Sequence, residues 1–215
     1  MKERNPGQDP NKDFLQERKR ARYFFNLTSA IYPMIERHLF PRYEAALTTL
    51  GLPRELSVLD VATGSGILAA AFARRGHEVV GLDFSERLLK RARKKFPQID
   101  FKAFDLVDLP KIPAQSYGIV SCGYFLHGLS PEFRATILKN IARIARRNVV
   151  VFDYCCDGGW FVRLIERVEG PNYPQFIAAS REAEFAGAGL RIERSFRTSP
   201  FGDAWLCLPY GLPAR

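Results

Sequence analysis

The chain has no run near the roughly 18 apolar residues that a membrane-spanning helix needs, so no segment is expected to cross a bilayer. Its opening stretch, MKERNPGQDPNKDF, lacks the apolar centre of a secretory signal, and a cytoplasmic protein is the expectation. Cysteine is scarce. The four present, Cys122, Cys155, Cys156 and Cys207, form no CxxC pair and show no histidine at metal-ligand spacing. No metal centre is expected; reduced core thiols are, with the vicinal pair Cys155-Cys156 open to a soft metal or a thiophilic substrate. Repeats and low-complexity segments are missing too, which excludes solenoids and low-complexity architectures.

What is present is ordinary for one enzyme-sized domain: 215 residues, 47% hydrophobic and 26% charged. The net charge of +9 raises an anionic partner. The basic residues gather in KRAR (19–22), KRARKK (90–95) and ARIARR (142–147), which read as solvated helix faces. No aromatics interleave in the last two as a stacking platform for bases requires, so nucleic acid is not the expected partner. A basic N-terminal helix suits peripheral contact with an anionic membrane surface.

Residues 1–13 lack periodicity and are expected to be a disordered tail, with 14–215 one domain. Residues 14–52 predict a cap of two or three helices, broken near Pro33 and Pro41. Residues 53–154 then alternate. SVLDVA, EVVGLD, IDFKAFD, YGIVSCG and NVVVFDY read as strands. GILAAAFARR, with Gly76 as its stop, SERLLKRARKKF, capped by Ser85, and EFRATILKNIARIARR, opened by Ser130-Pro131, read as helices. Residues 155–215 predict a helix over WFVRLIERVEG, another over YPQFIAASREAEFAGAG, and a strand pair, LRIERSFRTS and DAWLCLP, closing the sheet. The expected fold class is α/β: a Rossmann-like, doubly wound, mostly parallel seven-stranded sheet with an antiparallel C-terminal strand.

In such a sheet ligands bind beyond the C-terminal ends of the central strands, where the loop Asp60–Gly66 falls. No Gly-Lys-Ser/Thr follows it, which excludes a P-loop. GSGILA does satisfy the dinucleotide pattern G-x-G-x-x-A. Against that stand the acidic Asp60 ahead of Ala62-Thr63, the little room for a second domain, and the helices placed before the first strand.

VLDVATGSG, GLDFS, AFDLVDLP and YGIVSCGYFLHGL, in that order, resemble the motifs of class I S-adenosylmethionine-dependent methyltransferases. DVATGSG is most similar to the ubiquinone/menaquinone C-methyltransferase branch. The resemblance implies S-adenosyl-L-methionine as cofactor and S-adenosyl-L-homocysteine as product. It implies that Asp60 orients the glycine loop and balances the ammonium, while Ala62, Thr63, Gly64 and Gly66 bring backbone to the methionyl and ribose parts. Asp83 would accept from the ribose hydroxyls, Phe84 would lie on the adenine, Asp105 and the Leu106 amide would meet the adenine edge, and Ser121 and Cys122 would hold the methionine part. Tyr117-Gly118 departs from the family's Phe-Asp, a difference expected to affect packing rather than the cofactor.

Methyl transfer from a sulfonium is an in-line displacement, for which alignment and water exclusion suffice and a base is optional. His127, just after the fourth strand, is the candidate base, against a plain hydrogen-bonded loop histidine. Tyr32 resembles the lid tyrosine of the family, with Pro33 where aspartate is usual. Tyr124, Asp153 and Tyr154 are candidate pocket-lining residues without a role, and Trp160, Phe161, Tyr173, Phe176 and Trp205 favour an apolar or aromatic acceptor, quinone-like or lipid-like. An RNA or protein methyltransferase is the alternative, or a non-catalytic cofactor-binding protein of the same fold. Ser121-Cys122-Gly123-Tyr124 stands where an Asn-Pro-Pro-Tyr-type motif would favour the former.

Overall fold

Short runs of β-branched and aliphatic residues, buried on both faces, alternate with amphipathic segments, and the chain folds accordingly. The computed structural model describes residues 32–159, 163, 167 and 171–210, with side chains from Glu36. The expected tail over 1–13, the cap before residue 32, the Tyr32 side chain, and Trp160 and Phe161 lie outside the described residues, as does most of WFVRLIERVEG.

The strands are β1 (Ser57–Val61), β2 (Glu78–Asp83), β3 (Asp100–Ala103), β4 (Tyr117–Gly123), β5 (Ala145–Tyr154), β6 (Leu190–Ser199) and β7 (Gly202–Pro209). They form one sheet in the order β3-β2-β1-β4-β5-β7-β6. The first five are parallel, and β7 runs antiparallel between β5 and β6. The strand order reverses between β1 and β4, so the two strands that open the crevice are those carrying Asp60 and Ser121.

Helices cover both faces, and strand residues alternate between two cores. On β5, Val150 and Phe152 join Val58 and Ile119 beneath α1 (Tyr32–Leu50), α2 (Ile67–Ala73) and α3 (Glu86–Lys95). Val149 and Val151 join Leu59 and Val120 beneath α4 (Pro131–Ile144) and the pair α5 (Tyr173–Ala178) and α6 (Arg181–Gly187). Ser85 caps α3 by accepting the Leu88 amide, and Gly76 sits at φ +84° just past α2, both as the sequence predicts.

Three expectations are corrected. Pro41 does not break α1: it lies exposed inside a continuous helix, whose buried stripe Tyr43, Ala46, Leu47 and Leu50 outweighs the one lost backbone bond. YPQFIAASREAEFAGAG is two helices rather than one, because Ser180 takes extended backbone and caps α6 by accepting the Ala183 amide. ARIARR is not wholly helical, since Ala145–Arg147 already belong to β5. Gly118 lies at the start of β4, where a Cβ would meet Leu56 at 3.0 Å.

Candidate active site at the tips of β1, β2, β4 and β5

Asp60 lies within the buried run of β1, one residue before its end, and is 1% exposed. Its Oδ2 accepts the Thr63 hydroxyl at 2.6 Å and its Oδ1 accepts the Ser121 hydroxyl at 2.7 Å. One carboxylate thus ties the glycine loop to β4. Burial pushes its pKa from 3.8 to about 6, with the two hydroxyl bonds pulling the other way. Asp83 does the same work from β2. Its Oδ2 accepts the Gly64 amide at 2.9 Å and its Oδ1 the Ser85 amide at 2.8 Å. Burial pushes it up to about 6 as well, again against its hydrogen bonds.

Between these carboxylates the backbone turns through left-handed conformations at Ala62 (φ +57°), Gly64 (+55°) and Gly66 (+79°). Ala62 holds that conformation despite its side chain, a strain characteristic of functional loops. The two glycines differ. A Cβ on Gly64 would meet no protein atom within 4 Å, whereas one on Gly66 would stand 2.6 Å from the Phe101 ring and 3.2 Å from Ala92. Gly64 therefore faces open space, while Gly66 admits the β3 phenylalanine.

Around this loop Phe84 is half-buried beside Asp83. Asp105 heads the short 3-10 turn Leu106–Lys111, where its side chain accepts the Val107 amide at 3.4 Å, and Leu106 is buried. Cys122 sits in the core behind Ser121, and burial pushes its thiol well above the usual range, with Asp153 and Asp60 adding to the rise.

His127 lies in the turn Leu126–Gly128 and is 4% exposed. Its Nδ1 is 2.7 Å from Asp153 Oδ1, and Asp153 Oδ2 accepts the amides of Leu126 and His127 at 2.9 and 3.2 Å. Asp153 Oδ1 also accepts the Tyr154 amide at 2.8 Å. The imidazole is boxed by Tyr154, Tyr173 and Phe176, with ring centroids 4.9, 6.4 and 6.2 Å away. Tyr154 in turn packs edge-on against Tyr124 and Tyr173. The structure therefore gives Asp153 the role that sequence reasoning left unassigned. The signal was there: it is the one charged residue in the otherwise apolar run that ends β5.

Residues 58–148 match the family model described as a methyltransferase domain. A demethylmenaquinone methyltransferase of Chlorobaculum parvum is 44% identical over 72 residues, 33% of this chain and 30% of that protein. A ubiquinone biosynthesis O-methyltransferase of Coxiella burnetii is 30% identical over 151 residues, 63% of each chain. The chain thus spans less than two thirds of the length of these curated relatives. Among solved structures, the 1,6-didemethyltoxoflavin-N1-methyltransferase of Burkholderia thailandensis, with bound 1,6-didemethyltoxoflavin and S-adenosylhomocysteine, superposes with a TM-score of 0.69 at 16% identity, over 96% of this chain and 93% of that one. The domain match over residues 58–148, these relatives and the strand order make this chain similar to the class I S-adenosylmethionine-dependent methyltransferases, with the curated likenesses falling among quinone methyltransferases.

Proposed function

We propose that the protein transfers a methyl group from S-adenosylmethionine to a small apolar or aromatic acceptor of the quinone or lipid kind. The observation that carries this reading is the cradle in which Asp60 and Asp83 knit the tips of β4, β1 and β2 around an open Gly64. Its residues fit the cofactor. Each Asp83 oxygen accepts one backbone amide and keeps lone-pair capacity for ribose hydroxyls. Asp60 is a buried carboxylate with no cation among its hydrogen-bond partners in the described residues, suited to balance an ammonium. Ala62, Thr63 and Gly64 would lie along the methionyl and ribose parts. Phe84, Asp105 and Leu106 would meet the adenine, with Ser121 and Cys122 behind the methionine end; Gly66 supports the loop from within. When bound, S-adenosylmethionine supplies an electrophilic methyl group.

The chain's own contribution is placement, and His127 is the group proposed to take a proton from the acceptor. Asp153 Oδ1, 2.7 Å from Nδ1, orients the ring for that role. Tyr32 is proposed to close over the methyl group from α1. The aromatic box of Tyr124, Tyr154, Tyr173 and Phe176 supports a flat or apolar acceptor, and the relatives named for quinone methylation support the same class. No described helix is long and apolar enough to cross a membrane. The reading is of a cytoplasmic enzyme that reaches lipid-borne acceptors at an anionic surface through basic helices such as α3, whose Lys90, Arg93, Lys94 and Lys95 are exposed.

Calorimetry with S-adenosylhomocysteine, followed by labelled methyl transfer to demethylated quinones, RNA and protein, tests the reading. Saturable binding and transfer to a quinone are expected. Asp83→Ala should weaken binding roughly thirtyfold, by loss of charge-assisted hydrogen bonds. Binding of a nicotinamide dinucleotide instead, or transfer to RNA alone, would overturn it. Binding unchanged by anionic vesicles at low salt would remove the membrane contact.

A further inference from the structure

β5 ends at Tyr154, and the next two residues are both cysteine. The Cys155 amide donates to the Phe201 carbonyl at 2.9 Å, and the Cys156 thiol donates to the Pro200 carbonyl at 3.4 Å. These bonds pin the pair against the turn between β6 and β7, on the same rim of the sheet as the aromatic box. Cys156 is exposed and Cys155 half-buried. Their sulfurs stand 3.7 Å apart. Two thiolates each about 2.3 Å from one tetrahedral centre stand about 3.8 Å apart, so the pair already has the bite of a single soft atom.

The chemistry of that atom is constrained. Among the described residues no group of three or more His, Cys, Asp or Glu side chains is placed to hold a metal ion. A ligand here must be satisfied by two sulfurs. A trivalent arsenic bearing one carbon substituent meets that requirement, since two As–S bonds and one As–C bond complete its valence.

The geometry points to Cys155 and Cys156 as a dithiol binding site for trivalent organoarsenicals and soft electrophiles of that class. The arsenical arrives as its dihydroxide. The exposed Cys156 sulfur forms the first As–S bond, and one hydroxyl leaves as water with the thiol proton. The Cys155 sulfur forms the second, and the other hydroxyl leaves with the second proton. Arsenic stays trivalent and no reductant is consumed. Burial, with help from Asp203, pushes the Cys155 thiol up to about 12, so Cys155 is the slower partner and reacts because it is held beside an arsenic already attached. This site stands apart from the cofactor cradle and does not depend on the proposed reaction.

The test is intact-mass analysis of the reduced full chain with phenylarsine oxide. One phenylarsenic group replacing two thiol protons is expected, retained in excess monothiol and released by a dithiol. Cys155→Ser and Cys156→Ser should each shed the group about a hundredfold faster in monothiol, the advantage of ring closure being lost. Peptide mapping of the unmutated adduct locates the group even if a variant folds poorly. An adduct mapped to Cys122 or Cys207, or release from the wild type as fast as from the single variants, would overturn the assignment.

Discussion

At the scale of single residues, the two glycines of the loop make opposite predictions. Gly66→Ala places a methyl group 2.6 Å from the Phe101 ring at a left-handed φ, so it should cost about 2 kcal/mol or more of stability in urea unfolding. Gly64→Ala meets no neighbour and carries only the backbone strain of about 1–2 kcal/mol, yet it fills the cradle. It should therefore abolish S-adenosylhomocysteine binding in calorimetry while leaving a folded protein; retained affinity would show that the ligand lies elsewhere. The paired carboxylates predict a pH dependence. Asp60 and Asp83 titrate near 6 in the fold and near 3.8 when unfolded, so between these values the native state holds protons that the unfolded chain has released. Their contribution to stability is therefore full below the unfolded pKa and lost as pH rises through about 6, by at most about 3 kcal/mol each. A ligand offering an ammonium and hydroxyls favours the ionised forms. Affinity for S-adenosylhomocysteine should consequently fall at least about tenfold from pH 7 to pH 5, with proton release detectable by calorimetry in two buffers. The carboxylates and glycines were legible in the sequence because each sits at a strand end in a recognisable order. The Nδ1 partner of His127 was not, since 26 residues separate it from Asp153 and only the β4–β5 pairing brings them together.

At the scale of elements, α4, α5 and α6 are locked by charges that no periodicity announces. Arg134 on α4 is 1% exposed and bonds to Glu184 on α6 and to the Leu129 carbonyl. Arg181 is buried as well, lies 3.6 Å above the Phe176 ring, and shares Glu184. Two buried guanidiniums thus share one carboxylate. Glu184→Ala should cost about 3 kcal/mol, because it removes the carboxylate that both contact. Differential scanning calorimetry should read this as a fall of very roughly 6–12 °C in Tm. A shift within 1–2 °C would mean that the arginines are satisfied by their carbonyl contacts alone. The same region shows where reading by pattern fails. The apolar stripe of residues 173–188 continues across Ala179-Ser180, and only the Ser180 cap reveals two helices. Pro41 failed in the other direction, a breaker by composition overridden by a buried face.

At the scale of the whole molecule, the alternation of strand and helix through residue 154 was plain in the sequence, since the central parallel strands β1, β4 and β5 carry short apolar runs buried on both faces. The seat of the last strand was not, because a hairpin's pattern does not say which of its strands pairs with the sheet. That seat is internal: β7 joins β5 to β6. A chain cut after Ser199 should thus fail to give a soluble, cooperatively unfolding protein, whereas one cut after Tyr210 should retain its transition; a folded product from the shorter chain would show that β5 can end the sheet. Synthesis runs from N- to C-terminus, so every nascent chain passes through a stage in which β5 offers an unpaired, largely aliphatic edge, with its neighbour still inside the ribosome. For this molecule the vulnerable interval in its life is the wait for one late strand, and a chaperone that recognises aliphatic edges would meet it there.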